Sequence, residues 1–136
     1  MRQYQQEGLL YLALSKNRVI GFGAMLPLAK ALPEEIVTRL KNTGLNINDT
    51  WYSADLGVNQ KFRNKGIGTN LVKVRLDAVK GKTVVMRTSI DNKNSQSIYR
   101  SLGFQQIPNL IQTVDGRRQD GSIQPDTRIF FVKKIV

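Results

Sequence analysis

From Val58 to Thr69 the chain reads Val-Asn-Gln-Lys-Phe-Arg-Asn-Lys-Gly-Ile-Gly-Thr. An apolar stretch leads in and an amphipathic stretch leads out, so this is a turn between a strand and a helix start. The first N–H groups of a helix have no partner inside it, and their partial positive charge favours an anion, phosphate above all. Gly66 and Gly68 lack a Cβ, so a ligand can approach the backbone closely. Lys61, Arg63 and Lys65 add full charges around the same point. Together these residues predict a pyrophosphate cradle. What the chain lacks narrows the chemistry further. With no Cys and no His, a disulfide scaffold, a thiolate zinc site and Ser-His or Cys-His machinery are excluded. No metal is expected. Any general base must be a carboxylate, Lys, Tyr or water.

The elements that position this turn are legible around it. Residues 51–58 form the strand that feeds it. Tyr52, Ala54, Leu56 and Val58 share one face by the period of two, and Ser53, Asp55 and Gly57 share the other. Residues 69–80 form the clearest helix, with Ile67, Leu71, Val74 and Ala78 at helical spacing. Val72, Leu76 and Val79 widen that stripe, while Lys73, Arg75, Asp77 and Lys80 cover the outside. Residues 83–90 are a β-branched strand. Asp91 and Asn92 offer cap chemistry for a helix running to about Leu102, with Gly103 as its stop.

Upstream, strands over 8–14 and 19–25 form a hairpin around a turn in which Asn17 tolerates positive φ. Gly21 and Gly23 fall on one face and predict a bulge or close packing. A short helix starts at Pro33, with Glu34 and Glu35 at its positive end and Gly44 as its stop. Downstream, Pro108 interrupts a strand over 104–107, and 110–114 is strand-like. Asp115-Gly116 and Asp120-Gly121 punctuate a long polar loop before a last strand over 128–136. The order is α/β, with a parallel strand pair expected across the crossover from Tyr52 to Ile90. A single domain is expected over 1–136, with a core at 8–107, an insertion at 27–50 and a C-terminal hairpin at 109–136.

The chain has 21 Lys+Arg against 10 Asp+Glu, a formal charge of +11. That balance points to anionic partners or to solubility alone. Residues 1–6 are polar and lack the apolar region of a signal peptide. No apolar run approaches the ~20 residues of a membrane span. A cytoplasmic location without membrane partners is therefore expected.

Residues 66–71, Gly-Ile-Gly-Thr-Asn-Leu, are not a dinucleotide fingerprint, because Leu71 replaces the third glycine. They are not a Walker A loop either, because no Gly-Lys-Ser/Thr follows. Arg63-Asn64-Lys65-Gly66-Ile67-Gly68 instead resembles the Arg/Gln-x-x-Gly-x-Gly/Ala signature of the GNAT acetyltransferase superfamily. Asp55-Leu56-Gly57-Val58 looks like that family's fourth strand. Asn92-x-x-Ser95-x-x-x-Tyr99-x-x-Leu102-Gly103-Phe104 resembles its second motif. The resemblance runs from about Tyr52 to Phe104 and extends to the hairpin at 8–25.

It implies a mixed, mostly antiparallel α+β sheet flanked by helices and splayed at the fourth and fifth strands, with Gly57 easing a bulge. It implies acetyl-CoA as co-substrate, without a metal. The turn Arg63, Asn64, Lys65, Gly66, Ile67, Gly68 and Thr69 would hold the pyrophosphate. The pantetheine arm would pair with Leu56 to Val58 like an added strand; Asn92 would hydrogen-bond it or orient nearby groups, and Ser95 would contribute. The activity implied is N-acetylation of a primary amine of a small molecule or protein. Tyr99 matches the family's general acid for the leaving thiolate, and a free N–H near Val58 would serve the oxyanion.

Asp55 stands where many members carry an acidic residue. It is a base acting directly or through water, an attractor for a cationic amine, or a salt-bridged strand carboxylate. Tyr52 falls where some protein acetyltransferases carry a basic Glu, and it argues against that arrangement. The family's opening strand and helices are expected to be reduced or absent ahead of the hairpin, whether lost, truncated or supplied by a partner chain, and the insertion at 27–50 is expected to cover the acceptor side in their place. Two further readings stand beside this one. One is a non-catalytic acyl-CoA-sensing module. The other is an RNA-directed enzyme acting on aminoacyl-tRNA, suggested by the charge and by Arg117, Arg118, Lys133 and Lys134. A homodimer is compatible with the sequence, and nucleic acid is the less favoured partner.

Overall fold

Lys16 and Asn17 both take positive φ, 50° and 65°, as a two-residue hairpin turn matched to strand twist requires. The turn joins β1 (Leu9–Ser15) to β2 (Arg18–Pro27), which pair antiparallel from Leu9↔Met25 to Ser15↔Arg18. The computed structural model describes residues 7–118 and 120–136, and Asp55 by its backbone alone. The segment at 1–6, read above as polar, lies outside the described residues. The chain folds as two units, Met1–Val84 with Lys134–Val136, and Val85–Lys133. The fold is mixed α+β, with mostly antiparallel strands flanked by helices.

In the first unit, β3 (Thr50–Val58) pairs antiparallel with β2, giving the order β1-β2-β3. Between β2 and β3 come α1 (Leu28–Ala31), α2 (Glu34–Asn42) and a 3-10 turn at Ile47–Asp49. The helix expected after Pro33 is α2, with Glu34 and Glu35 in its first turn and Pro33 as its cap. The short α1 was not expected. Leu28, Leu32, Ile36 and Leu40 are buried, so this insertion belongs to the core. Full burial of such side chains contributes about 1.5–3 kcal/mol each.

The long helix α3 (Ile67–Ala78) packs on β1, β2 and β3. It comes close because two residues of β2 have no side chain. A Cβ on Gly21 would lie 3.4 Å from Leu71 Cδ1, and one on Gly23 would lie 2.9 Å from Arg75 Nε. The expected bulge is present as well, because Ala13↔Gly21 is followed by Leu14↔Val19, leaving Ile20 as the extra residue.

The buried stripe of α3 is rotated from the expected one. Leu71, Val72 and Arg75 are buried, while Val74 is 45% exposed. Arg75, placed outside by its charge, is an interior residue because buried oxygens accept from its guanidinium. The expected bulge at Gly57 is also displaced. Gly57 pairs in register with Phe22, whereas Gly23 pairs with Leu56 and Met25 with Ser53. Ala54 and Asp55 therefore both stand opposite Ala24, which is the β-bulge of this strand.

The second unit holds most of β4 (Thr83–Ser89), then α4 (Lys93–Ser101), β5 (Gln105–Arg117) and β6 (Ile123–Lys134), in the order β4-β6-β5. The two strands expected around Pro108 are one strand. Gln106 pairs with Phe131 and Ile111 with Ile129, so Ile107, Pro108, Asn109 and Leu110 stand opposite Phe130. Pro108 has no N–H for a ladder, and Asn109 takes a φ of 60°. That excursion turns both Ile107 and Leu110 into the core. The long polar loop is also shorter than expected. Asp115 and Gly116 are in the ladder opposite Pro125 and Gln124, and β6 begins at Ile123, ahead of the expected start at Arg128. Arg118 N–H to the Ser122 carbonyl, 2.8 Å, closes the remaining turn.

Candidate active site

Gly66 caps α3 with a φ of 83° and brings no side chain to cover the helix end. The first bond of the helix runs from Asn70 N–H to the Gly66 carbonyl, 3.0 Å. The N–H groups of Ile67, Gly68 and Thr69 precede it and are not used within the helix. A Cβ on Gly66 would meet no atom within 4 Å, and one on Gly68 would only touch Val58 Cγ2 at 3.8 Å and Leu56 Cδ2 at 4.0 Å. Packing inside the protein thus leaves open space beside Gly66 and Gly68, next to these amides. Lys61, Arg63, Asn64 and Lys65 are exposed around it. The Lys65 ammonium lies 5.5 Å from the Phe62 ring centroid. Arg63 does more than face solvent: its Nε donates to the Val58 carbonyl at 3.0 Å, tying the turn to the end of β3. Unused amides, room for an anion and three cations fit a bound pyrophosphate.

The pairing of β3 with β2 is ordered near its end by one bond. Asn59 N–H donates to the Ile20 carbonyl at 2.7 Å. Antiparallel pairs alternate between exchanging bonds and not doing so. Phe22 and Gly57 therefore exchange them, and Leu56 and Val58 direct their backbone groups away from β2. These are the two residues expected to carry an extended ligand. Asp55 lies in the bulge just before them, and its side chain lies outside the described residues.

In the second unit, Asn92 Oδ1 accepts from Ser95 N–H at 3.0 Å and caps α4. The two residues expected to contact pantetheine are thus bonded to each other as a helix start. Asn92→Ala should destabilise by about 1 kcal/mol, whereas Asn92→Asp should leave stability nearly unchanged. Urea denaturation of the three proteins checks this. Tyr99 is half-buried, with its ring 6.3 Å from Phe104 and 5.7 Å from Phe131, centroid to centroid.

Gln96, missed from the sequence, is buried and donates from Nε2 to the carbonyls of Ser89 and Ile90 at 3.2 and 2.9 Å. It sits three residues before Tyr99 on the same helix face, a spacing that marks it as part of the same surface. Lys133, named above among the basic residues that suggest an RNA-directed enzyme, donates to the Leu102 carbonyl at 2.7 Å and completes the end of α4.

A further buried charge went unnoticed in the sequence. Asp126 accepts from Ser89 Oγ at 2.7 Å and from Arg128 Nε at 2.6 Å. Burial pushes its carboxyl up, but the Ser89 hydroxyl and the Arg128 guanidinium outweigh that and hold it below the usual carboxylate range. A depressed folded value stabilises the protein above the unfolded value of about 3.9, and the contribution is lost as pH falls through the folded value. Asp126→Asn should therefore flatten the fall in stability below about pH 4. Denaturation midpoints across the acid range read this directly.

Among the described residues, no group of three or more Asp, Glu, His or Cys is placed to hold a metal ion. No described helix is long and apolar enough to cross a membrane.

A family model described as "Acetyltransferase (GNAT) family" matches residues 1–104. N-alpha-acetyltransferase 30 of Xenopus laevis is 48% identical over 56 residues, which are 39% of this chain and 20% of that protein. N-alpha-acetyltransferase RimI of Mycobacterium tuberculosis is 35% identical over 52 residues, 38% of this chain and 33% of that protein. The matched part is thus a fifth to a third of these curated relatives. Among solved structures, a Bacillus subtilis acetyltransferase in complex with CoA superposes with a TM-score of 0.70 at 17% identity, covering 99% of this chain and 82% of that one. The ribosomal-protein-S18-alanine N-acetyltransferase from Escherichia coli gives 0.66 at 16%, covering 93% and 68%. At these identities the structural likeness carries the fold.

Proposed function

The chain belongs to the GNAT acetyltransferase family, and on that premise we propose that it transfers an acetyl group from acetyl-CoA to a primary amine. The observation that carries this reading is the start of α3, where unused amides meet open space and three cations. Two relatives named N-alpha-acetyltransferases favour the α-amine of a protein chain as acceptor.

When bound, acetyl-CoA supplies a thioester that a neutral amine can attack. The chain's own residues do the rest. The amides of Gly66, Ile67, Gly68 and Thr69, with Lys61, Arg63, Asn64 and Lys65 around them, hold the pyrophosphate. Leu56 and Val58 present outward backbone groups to an extended arm, and the Val58 N–H donates to charge developing on the carbonyl oxygen. Asn92 and Ser95, which form the start of α4, serve the pantetheine arm as the family resemblance implies. Tyr99 gives a proton to the departing thiolate. Asp55 receives the proton of the incoming amine, directly or through water, or draws the cationic amine in. The cytoplasm is the compartment that fits an acetyl-CoA-dependent enzyme.

A thiol-release assay with acetyl-CoA and a panel of small amines, peptides with free α-amines and charged tRNA tests this. Release with peptides is expected. Tight CoA binding without release from any acceptor would make the chain an acyl-CoA sensor, and release with charged tRNA alone would make it RNA-directed.

A further inference from the structure

Arg75 is among the largest fully buried side chains, at 2% exposure. Its Nη1 donates to the Ala24 carbonyl at 2.9 Å and to Ser53 Oγ at 2.7 Å, and its Nε donates to the Leu71 carbonyl at 3.2 Å. β2 makes room for it, since a Cβ on Gly23 would come within 2.9 Å of Nε and 3.0 Å of Cδ. A buried guanidinium is a costly way to fill space, and an apolar side chain of like volume often serves stability as well or better. What distinguishes this arginine is where its bonds fall. Ala24 is the residue that faces the bulge, and Ser53 is the last residue in register before it.

That bulge decides which amides of β3 face outward. Before it, Met25↔Ser53 and Leu26↔Tyr52 are partners; after it, Gly23↔Leu56 and Phe22↔Gly57 are. Without the extra residue the first register would continue, and Phe22 would face Leu56. A shift of one residue exchanges the inward and outward groups of a strand. The N–H groups of Leu56 and Val58 would then turn toward β2, and that of Gly57 away from it. The guanidinium bridges both strands at the one place where this slip can occur.

We propose that Arg75 is a positioning residue: by clamping Ala24 and Ser53 it fixes the β3 bulge and so aims the Leu56 and Val58 amides. Its effect on turnover rests on the acetyl-transfer reading above; its effect on the strand does not. The test uses the full chain carrying R75M, with R75K beside it. R75M should stay folded with a lowered melting temperature, because the acceptors on Ala24, Ser53 and Leu71 lose a buried donor, and amides 54–58 should exchange with solvent about tenfold faster relative to the rest of the sheet. CoA affinity should fall only a few-fold, because the start of α3 is untouched while the pairing of the arm with Leu56 and Val58 is weakened. The kcat should fall about 100-fold, as expected when a reacting group is misplaced by an ångström, with partial recovery in R75K.

If R75M does not fold, S53A removes only the hydroxyl acceptor and should speed exchange at 54–58 in the same direction. Native protection of 54–58 in a folded R75M or S53A overturns the proposal. So does faster exchange with unchanged kcat. A wild-type chain that releases no thiol with any acceptor defeats the acetyl-transfer reading instead, and the exchange rates still decide whether Arg75 sets the bulge.

Discussion

Gly66→Glu should abolish CoA binding, while Gly44→Glu should cost the same stability and leave binding intact. The two glycines are matched in backbone and surroundings. Their φ values are +83° and +98°, and a Cβ on either would meet no atom within 4 Å. Any L-residue forced into that region costs about 1–2 kcal/mol, so both variants should lose that much in a denaturation experiment. They differ in what they face. Gly44 follows the end of α2, where nothing depends on an anion. Gly66 precedes the unused amides of α3, and a carboxylate there both fills the space and repels phosphate. A loss of 100-fold or more corresponds to about 2.7 kcal/mol. Isothermal titration with CoA reads it, and equal affinities for the two variants would remove the cradle from its assigned role.

Tyr99→Phe should lower kcat by about 10²–10⁴-fold, the usual contribution of a positioned acid, with the CoA dissociation constant unchanged. The separation between chemistry and structure is favourable here. The ring contacts to Phe104 and Phe131 survive loss of the hydroxyl, so melting temperature should move little. Wild-type turnover by the phenylalanine variant would assign Tyr99 to packing alone. A variant that loses CoA affinity in parallel with kcat would point to a binding role. With the Gly66 pair, these outcomes would place binding at the start of α3 and proton transfer on α4, two elements that can be impaired independently.

Much of the turn proposed as a cradle was legible because its residues are local. Gly66, Gly68 and the cations at 61, 63 and 65 are neighbours in sequence, and the strand before them and the helix after them are implied by periodicity alone. The cap at Asn92 and the hairpin turn at Asn17 were legible for the same reason, since each bonds or bends within a few residues. The failures share the opposite property. Val74 and Arg75 exchanged sides because a stripe counted by polarity puts every apolar residue in and every cation out. The bulge was assigned to Gly57 because glycine is the usual local sign of one, whereas the actual bulge at Ala54 and Asp55 carries no such sign. Pro108 was read as a strand end because its missing N–H is visible in sequence, while the excursion that absorbs it depends on the partner strand.

The sequence by itself determined that a glycine-rich, cationic turn lies between a strand and a helix, that the chain offers no histidine or cysteine, and which superfamily's motifs surround that turn. Tertiary structure decided which amides of β3 face outward and what holds them there. The acceptors of Arg75 on Ala24 and Ser53 are 51 and 22 residues away, and no window along the chain contains them with it. Backbone conformation is written in neighbouring residues, but a buried charge is placed by partners that only folding brings within reach.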